Sequence, residues 1–359
     1  MKDNKVIVLY GARQVGKTTL IRELVKNTKH LWLNADEPDV LEKLQNKTSS
    51  ELKTLTGDNT VVVIDEAQRI ENVGLTLKLF TDELPGIKVI ASGSSSFELS
   101  NKIKEPLTGR KWEFMLYPFS YSEMKNHTTA VEEKRLLEHR LIYGYYPDIV
   151  NHPGDAEFRL NELSESYLYK DILALGVVRK PDRLQKLLQA LAFQVGNVVS
   201  YHELGQICGI NNETVETYVD LLEKSFVVFH LGSFSRNLRN EIKKSRKIYF
   251  HDNGIRNSII RQFNPVSLRN DIGALWENFI ISERIKFNSV RQLRPNMYFW
   301  RTHSGQEIDY IEESGGELRA FEMKWSQRKK HKIPESFATT YPEHTFEIID
   351  RMNFDTLIS

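Results

Sequence analysis

The sequence predicts an α/β fold, with a doubly wound parallel sheet in the first 125 or so residues and further domains after it. Three observations support this. Short apolar runs alternate with helical patterns through that part of the chain, as they do where helices cover both faces of a parallel sheet. The apolar run at 61–64 is continuous, which is typical of a strand buried on both faces. The length of 359 residues favours two or three domains over one.

The first apolar run, Val6 to Tyr10, leads into a glycine-rich loop and a helix. Gly11, Gly16, Lys17 and Thr18 have the spacing G-x-x-x-x-G-K-[ST] of a loop whose backbone N–H groups surround a polyphosphate. Glycine allows the loop to turn, the lysine balances phosphate charge, and the hydroxyl is a ligand for Mg²⁺. We therefore predict ATP and Mg²⁺ as cofactors. The predicted nucleotide-binding residues are Gly11, Ala12, Arg13, Gln14, Val15, Gly16, Lys17, Thr18 and Thr19.

Two carboxylates follow the buried run at 61–64. We expect Asp65 to hold the Mg²⁺ of ATP together with Thr18, and Glu66 to orient and deprotonate the attacking water. Kinases that transfer phosphate to a small molecule need no water-activating acid at this position. The sequence therefore favours ATP hydrolysis over phosphoryl transfer.

The other elements of this domain follow in order. "HLWLN" is predicted as a second strand, "PDVLEKLQ", "SSELKTL" and "GLTLKLFTDEL" as helices, and "IKVIASGSSS" as another buried strand. Ser92 and Ser94 at the end of that strand either sense the γ-phosphate or form a small-residue turn. Arg110 is either an arginine finger, acting in trans in a ring, or an ordinary surface arginine.

Residues 126–180 are predicted as a helical lid or connector, and residues 181–265 as a winged helix-turn-helix domain of three helices and a hairpin. The third of these helices turns acidic residues outward, so we do not expect it to enter a DNA groove. A basic segment follows and either contacts a nucleic acid backbone or forms a solvated hairpin. Its basic residues are Arg236, Arg239, Lys243, Lys244, Arg246 and Lys247.

Residues 266–359 are predicted as an α/β domain with a second chemical cluster. An amphipathic helix carries Glu277, and two strands joined by a turn at Gly315 and Gly316 carry Asp309, Glu322 and Lys324. Because side chains alternate along a strand, Glu322 and Lys324 lie on one face. The carboxylates are candidates to hold a metal ion at a scissile phosphate, with the lysine steadying charge. Exposed strand charges explain the same pattern equally well.

Composition adds few constraints. The net charge of +1 gives no global attraction to nucleic acid or membrane. The single cysteine, Cys208, allows no intramolecular disulfide and suits a reducing compartment. Because no stretch has the length of a signal peptide or a membrane span, we expect a cytoplasmic protein without a membrane partner.

Taken together, these residues resemble a family of prokaryotic AAA-type P-loop ATPases whose carboxy-terminal half is a domain of unknown function. The resemblance implies an ATPase module, a winged helix and a nuclease-like domain of the PD-D/E-x-K, restriction-endonuclease-like type, with Glu277, Asp309, Glu322 and Lys324 at the matching positions. Members of this family usually carry a helix before the first strand, whereas four or five residues precede it here. The motifs that carry the resemblance are "GARQVGKTTL", "VVVIDEAQRI", "ASGSSSFELS", "LTGRKWEFMLYPFSYSE", "YLYKDIL", "GALWENFI", "YFWRTHSGQEIDYI" and "FEMKWS".

The resulting hypothesis is an ATP hydrolase that couples its nucleotide cycle to binding or remodelling of nucleic acid, with DNA favoured, as a ring or other homo-oligomer. An ATP-gated, metal-dependent DNA nuclease is one alternative. An ATP-dependent signalling switch that acts on a protein partner is the other.

Overall fold

The chain divides into an amino-terminal unit, residues 1–118 with 224–226, and a carboxy-terminal unit, residues 119–223 with 227–359. The computed structural model describes residues 4–94, 103, 105–165, 178, 180–235, 245–302, 304–326 and 332–359. No helix within these ranges combines the length and the apolar character that crossing a membrane requires.

Five strands form the sheet of the amino-terminal unit. They are β1 (Val6–Tyr10), β2 (His30–Asn34), β3 (Val61–Asp65), β4 (Lys88–Gly93) and β5 (Lys111–Met115). Their order is β2-β3-β4-β1-β5, and every neighbouring pair is parallel. Val8, Val63 and Ile64 are fully buried, because a parallel sheet is covered on both faces. The predicted parallel α/β sheet is confirmed.

The helices of this unit are α1 (Lys17–Val25), α2 (Pro38–Leu44), α3 (Ser49–Thr56) and α4 (Val73–Glu83). Helix α1 turns Ile21 and Val25 into a core cluster with Leu9 and Val63, so its first turn is fixed beside β1 and β3. Helix α3 begins at a capping box in which Thr48 and Glu51 each bond the other's backbone N–H, which satisfies two orphan donors of the first turn.

The carboxy-terminal unit begins with five short helices. They are α5 (Tyr121–His127), α6 (Ala130–Arg135), α7 (Leu137–Tyr143), α8 (Pro147–Asn151) and α9 (Ala156–Leu163). The first crosses the predicted boundary between residues 125 and 126, and the other four lie in the region predicted as a lid. Glu133 on α6 is fully buried and accepts a hydrogen bond from Arg140 Nε on α7 at 2.6 Å and one from the Tyr145 hydroxyl at 3.0 Å. This paired charge ties α6 to α7.

Three helices follow where a winged helix is predicted: α10 (Pro181–Phe193), α11 (Tyr201–Cys208) and α12 (Asn212–Lys224). The predicted inner face of α12 is confirmed, since Val215 and Leu222 are fully buried while Glu213 and Glu216 are exposed. Strands β6 (Val198–Val199) and β7 (Val228–Ser233) accompany them, with β8 (Arg246–Phe250) antiparallel to both.

The last part of the chain contributes four more strands. They are β9 (Asn296–Arg301), β10 (Glu307–Ser314), β11 (Glu317–Met323) and β12 (His344–Ile349). The helices are α13 (Asn253–Ile259), α14 (Ile272–Val290), α15 (Glu335–Thr340) and α16 (Asp355–Ile358). The predicted turn between β10 and β11 is confirmed, with φ of +61° at Gly315 and +89° at Gly316, the backbone that favours glycine in a tight hairpin.

A single seven-stranded sheet runs through the carboxy-terminal unit, in the order β12-β11-β10-β9-β7-β8-β6. The junction is the parallel pairing of β7 with β9, in which Gly232 lies opposite Tyr298 and Ser233 opposite Phe299. The hairpin predicted for a winged helix and the strands predicted for a nuclease-like domain thus share one sheet. The boundary at residues 265 and 266 divides the sequence but not the sheet.

Helix α14 differs from the amphipathic helix that we expected, because it is buried on most of its circumference. Its buried polar side chains have partners. Arg284 donates to both carboxylate oxygens of Glu312 at 2.7 Å, and Asn278 bonds the backbone N–H and carbonyl of Phe250. Buried charges and amides are tolerated where such partners satisfy them.

Candidate functional site

The glycine-rich loop lies between the carboxyl end of β1 and the start of α1 in the amino-terminal unit. A Cβ on Gly11 would meet the Leu116 carbonyl oxygen at 2.2 Å, so only glycine lets the loop pass this neighbouring chain segment. Gly16 has φ +96° and caps α1. Ala12 and Val15 are buried, whereas the side chains of Gln14 and Thr19 are exposed. These four residues are therefore expected to bind the nucleotide mainly through their backbone N–H groups.

Lys17 is the buried cation of the loop, with 6% of its surface exposed. Its Nζ donates hydrogen bonds of 2.8 Å to the carbonyl oxygens of Gly11 and Ala12. The ammonium group thus lies within the curve of the loop, where a polyphosphate is expected to bind.

Thr18, Asp65 and Ser92 come together from three different elements. The Thr18 hydroxyl on α1 donates to Asp65 Oδ2 on β3 at 2.9 Å, and the Ser92 hydroxyl on β4 donates to Asp65 Oδ1. Strand β4 pairs with both β1 and β3, so Ser92 near its carboxyl end lies beside Asp65 on β3. Oxygen ligands of this kind fit Mg²⁺, which takes few protein oxygens and keeps several waters.

Glu66 follows Asp65 and has a left-handed backbone, with φ +54° and ψ +40°. This conformation is uncommon for a residue with a Cβ, and strain of this kind is concentrated at functional sites. The Glu66 carboxylate accepts a hydrogen bond from Gln68 Nε2 and lies 3.4 Å from the Ser94 hydroxyl. The structure therefore brings both predicted serines to the predicted acids, Ser92 to Asp65 and Ser94 to Glu66. Their role in sensing phosphate stays a prediction.

Arg110 lies at the opposite end of the strands from the phosphate loop. Its carbonyl accepts a hydrogen bond from the Val6 N–H at the amino end of β1, whereas the phosphate loop follows the carboxyl end. The Arg110 Nε donates to Asp82 at 2.7 Å. Arg110 is therefore not beside the phosphate loop of its own chain, and its action in trans stays a prediction.

The predicted basic segment is described only in part, because Arg236, Arg239, Lys243 and Lys244 lie outside the described residues. Arg246 is partly exposed and donates to the Tyr201 hydroxyl at 2.9 Å. Lys247 differs from the prediction, since only 1% of its surface is exposed. Strand β8 is buried on both faces, with Lys247 and Tyr249 on one face and Ile248 and Phe250 on the other, so Lys247 cannot contact a nucleic acid in this structure.

A buried charge cluster occupies the carboxy-terminal unit, where β8, β10, β11 and α14 meet. Lys247 Nζ donates to Glu277 Oε1 at 3.0 Å, pairs with Glu307 and lies 4.0 Å from Asp309 Oδ1. Lys324 Nζ lies 2.5 Å from Glu322 Oε1 and 3.8 Å from Asp309 Oδ2. The antiparallel pairing of Tyr310 with Phe321 fixes the register that brings the flanking Asp309 and Glu322 together.

The four predicted residues of this cluster do lie together, but Lys247, Tyr249 and Glu307 were missed as members. The alternation Lys247-x-Tyr249 and Glu307-x-Asp309 was the available signal. Nothing local in the sequence indicates that β8 lies beside α14. Among the described residues, no group of three histidine, cysteine or acidic side chains is arranged to hold a metal ion.

The environment shifts the protonation of these groups. Burial, with repulsion from Asp309 added, raises the pKa of Glu277 to about 7 from 4.5, although Lys247 and the Tyr249 hydroxyl oppose the shift. Burial and the nearby Asp309 also raise the pKa of Glu322. Burial acts to lower the pKa of Lys247, but Glu277, Asp309 and Glu307 outweigh it, and the pKa is raised. Lys247 is therefore charged at neutral pH.

Comparison with known protein families agrees with the geometry of the phosphate loop. Residues 3–125 match the model of an AAA domain. This match supports an AAA-type P-loop ATPase for the amino-terminal part of the chain. Residues 134–266 and 272–352 match two domains of unknown function, DUF8612 and DUF4143.

Similar proteins occur in bacteria and archaea. An uncharacterized protein of Mycobacterium tuberculosis is 26% identical over 324 residues, which is 89% of this chain and 70% of that protein. An uncharacterized protein of Methanocaldococcus jannaschii is 22% identical over 333 residues, covering 86% of this chain and 72% of the other.

Two solved structures share distant similarity. A signal transduction ATPase with numerous domains and a tetratricopeptide repeat sensor, from Pyrococcus horikoshii, matches at 13% identity and a TM-score of 0.28, over 81% of this chain and 46% of that one. This chain thus spans less than half of that protein's length. A Drosophila origin recognition complex bound to GC-rich DNA and Cdc6 matches at 11% identity and a TM-score of 0.24, over 73% and 87%. At these scores neither likeness carries an argument.

Proposed function

We propose that this protein hydrolyses ATP at the loop of residues 11–19 and couples that cycle to binding of nucleic acid, with DNA favoured. The observation that supports ATP hydrolysis most directly is the hydrogen bond of 2.9 Å from the Thr18 hydroxyl to Asp65 Oδ2, beside the glycine-rich loop. A hydroxyl from the loop and a carboxylate from a separate strand are the protein ligands that MgATP requires in such sites.

Each residue of the site has a distinct role. Thr18 and Asp65 hold Mg²⁺, which neutralises charge on the β- and γ-phosphates when bound. The Ser92 hydroxyl, by donating to Asp65, fixes the orientation of that carboxylate. Lys17 exchanges its bonds to the Gly11 and Ala12 carbonyls for phosphate oxygens. Glu66, held by Gln68, orients the attacking water and takes its proton.

Nucleotide binding tests the first part directly. Lys17→Ala is expected to lose binding of a fluorescent ATP analogue in the presence of Mg²⁺, because the buried ammonium balances phosphate charge. Lys26→Ala is the matched control, since Lys26 is an exposed lysine just after α1 that pairs with Glu23. Equal binding by both variants and the unaltered protein would rule out the site.

Coupling to nucleic acid is supported by the density of basic residues in the sequence between 236 and 246, which suits contacts to a phosphate backbone. Such binding weakens steeply as salt rises from about 50 to 200 mM. The test is a screen of duplex, single-stranded, forked and four-way DNA, with and without a non-hydrolysable ATP analogue.

The matched variants for that screen each remove four positive charges. Alanine at Arg236, Arg239, Lys243 and Lys244 is expected to abolish the salt-dependent binding. Alanine at Lys26, Lys29, Lys43 and Lys47 is expected to preserve it. If no DNA binds at low salt, or if both variants bind alike, the coupling to DNA through this segment is refuted, while the ATP site is judged by the nucleotide assay alone.

The proposed oligomer has its own test. If Arg110 completes the site of a neighbouring chain, Arg110→Ala lowers ATP turnover, and mixing it with the inactive Lys17→Ala protein restores part of the activity, because one chain supplies the site and the other the arginine. No recovery on mixing would contradict action in trans.

A further inference from the structure

The ammonium group of Lys247 lies at the centre of the carboxylate cluster. It donates to Glu277 Oε1 at 3.0 Å on α14, pairs with Glu307 on β10 and lies 4.0 Å from Asp309 Oδ1. Its side chain is 1% exposed, whereas those of Glu277 and Asp309 are 12% and 11% exposed. The cation is thus more deeply buried than the two acids that face it.

Such burial requires the surrounding acids. An ammonium group without partners in a protein interior costs several kcal/mol, and it would lose its proton rather than remain charged. Here three carboxylates face one ammonium, so the charge is stabilised where it lies. Two ammonium groups, those of Lys247 and Lys324, thus already neutralise part of the charge of these acids.

At least one oxygen of each carboxylate in the cluster already has a donor. Glu277 Oε1 accepts from Lys247 and from the Tyr249 hydroxyl at 2.6 Å. Asp309 Oδ2 accepts from the Met323 backbone N–H at 2.8 Å. Lys324 lies between Asp309 and Glu322. A divalent ion placed among these oxygens would meet two ammonium groups and would need these donors displaced, since Mg²⁺ binds oxygen at about 2.0–2.1 Å.

We propose that the Lys247 ammonium is the resident cation of this cluster, beside Glu277 and Asp309, two of the carboxylates that were candidates to hold a metal ion. The donor set therefore does not fit Mg²⁺ or Mn²⁺, and the carboxy-terminal unit does not cleave phosphodiesters with such a metal. This inference goes beyond ATP hydrolysis and is independent of it. It removes the ATP-gated nuclease as a function of this chain.

Manganese binding, followed by electron paramagnetic resonance without nucleotide, tests the inference in the full-length protein. All samples carry Asp65→Asn so that the ATP site adds no signal. The Asp65→Asn protein is expected to bind no Mn²⁺. Bound Mn²⁺ that is lost when Asp309→Asn is added would overturn the proposal, and this comparison leaves Lys247 intact.

A second comparison tests the lysine itself. Lys247→Met removes the ammonium but retains the apolar stem, and it is expected to create Mn²⁺ binding that Asp309→Asn then abolishes. Lys332→Met is the matched control at an exposed lysine and is expected to create none. If the Lys247→Met protein folds, as judged by circular dichroism, and binds no Mn²⁺, then the Lys247 ammonium is not what keeps a metal ion out of the cluster, and the proposal fails.

Discussion

Thr18 Oγ1 lies 2.9 Å from Asp65 Oδ2, although 47 residues separate the two in the chain. The parallel order of the sheet explains the meeting. Strand β4 lies between β1 and β3, and all three strands are parallel. The loop after β1 and the acid at the end of β3 therefore lie at the same end of the sheet, where the carboxyl ends of the strands meet. Ser92 at the end of β4 fills the gap and bonds the acid. The sheet thus assembles the site from three strand ends, as open α/β sheets commonly do.

Glu66→Gln is expected to preserve ATP binding and to lower the turnover number by about two to four powers of ten, because the amide keeps the shape but cannot take a proton. Steady-state hydrolysis together with nucleotide-binding titration measures both effects. Glu71→Gln, an exposed acid nearby, is the control and is expected to leave both unchanged. Full turnover in Glu66→Gln would remove Glu66 from the mechanism.

Gly11→Ala is expected to destabilise the protein by ~2–4 kcal/mol, because its Cβ would lie 2.2 Å from the Leu116 carbonyl oxygen. Nucleotide binding should be lost as the loop shifts. Gly86→Ala is the comparison, since its Cβ meets no atom within 4 Å and only the φ of +93° is unfavourable, which costs about 1 kcal/mol. Thermal unfolding distinguishes them, and equal losses would contradict the steric explanation.

Glu312→Leu is expected to destabilise the carboxy-terminal unit by about 3–5 kcal/mol, because it leaves the buried Arg284 guanidinium without its carboxylate. The double change Arg284→Met with Glu312→Leu should recover part of that loss, since no charge is then left unpaired. The Asn288 amide and the Tyr310 hydroxyl still lose Glu312 as their acceptor in both variants. Urea unfolding of the single and double variants measures the difference. A double variant as unstable as the single one would show that the pair itself, and not the orphaned charge, carries the stability.

Local spacing was sufficient to predict which residues the structure brings together at the proposed nucleotide site. Each part of this site is predicted by a stretch of about ten residues, because strand alternation and glycine turns are local properties. The parts are the glycine loop, the buried strand that ends at Asp65 and the polar end of β4. Their convergence also followed, since parallel strands present their carboxyl ends at one edge. Arg110 is a different case, because Val6 pairs with Lys111 at the amino end of β1, away from the phosphate loop of the same chain. Its predicted action on a neighbouring chain depends on an assembly that local spacing does not describe.

Long-range pairing was not predictable in the same way. Lys247 reads as one basic residue among several in a hairpin, and only the pairing of β7 with β9 and the packing of α14 show that it is buried. The continuous sheet across residues 265 and 266 has the same origin. The sequence alone does not distinguish a buried lysine from an exposed one. The role of Lys247 follows from the side chains that surround it in the fold.

Glu277 is expected to make the stability of the carboxy-terminal unit fall as the pH rises from about 5 to 7. Its pKa is raised from 4.5 to about 7 in the fold, mainly by burial, so within this range the folded protein holds a proton that the unfolded chain has released. Unfolding then releases this proton, and the contribution of Glu277 to the free energy of unfolding decreases with pH by at most about 1.4 kcal/mol per pH unit. The groups that act on Glu277 are Asp309, Lys247, Tyr249 and Lys324, and Glu307 pairs with Lys247 beside them.

Glu277→Gln cannot ionise, so its free energy of unfolding is expected to fall less, or rise more, with pH than that of the unaltered protein. His251, whose pKa is lowered to about 3 by desolvation, contributes an opposite slope in both proteins, so the difference between their slopes reports Glu277. Urea unfolding at intervals from about pH 5 to pH 8 measures the slope for each protein. Glu343→Gln, at an exposed position, is the control and should keep the original slope. Parallel slopes for all three proteins would mean that Glu277 is ionised throughout this range and that Lys247, not burial, governs its charge.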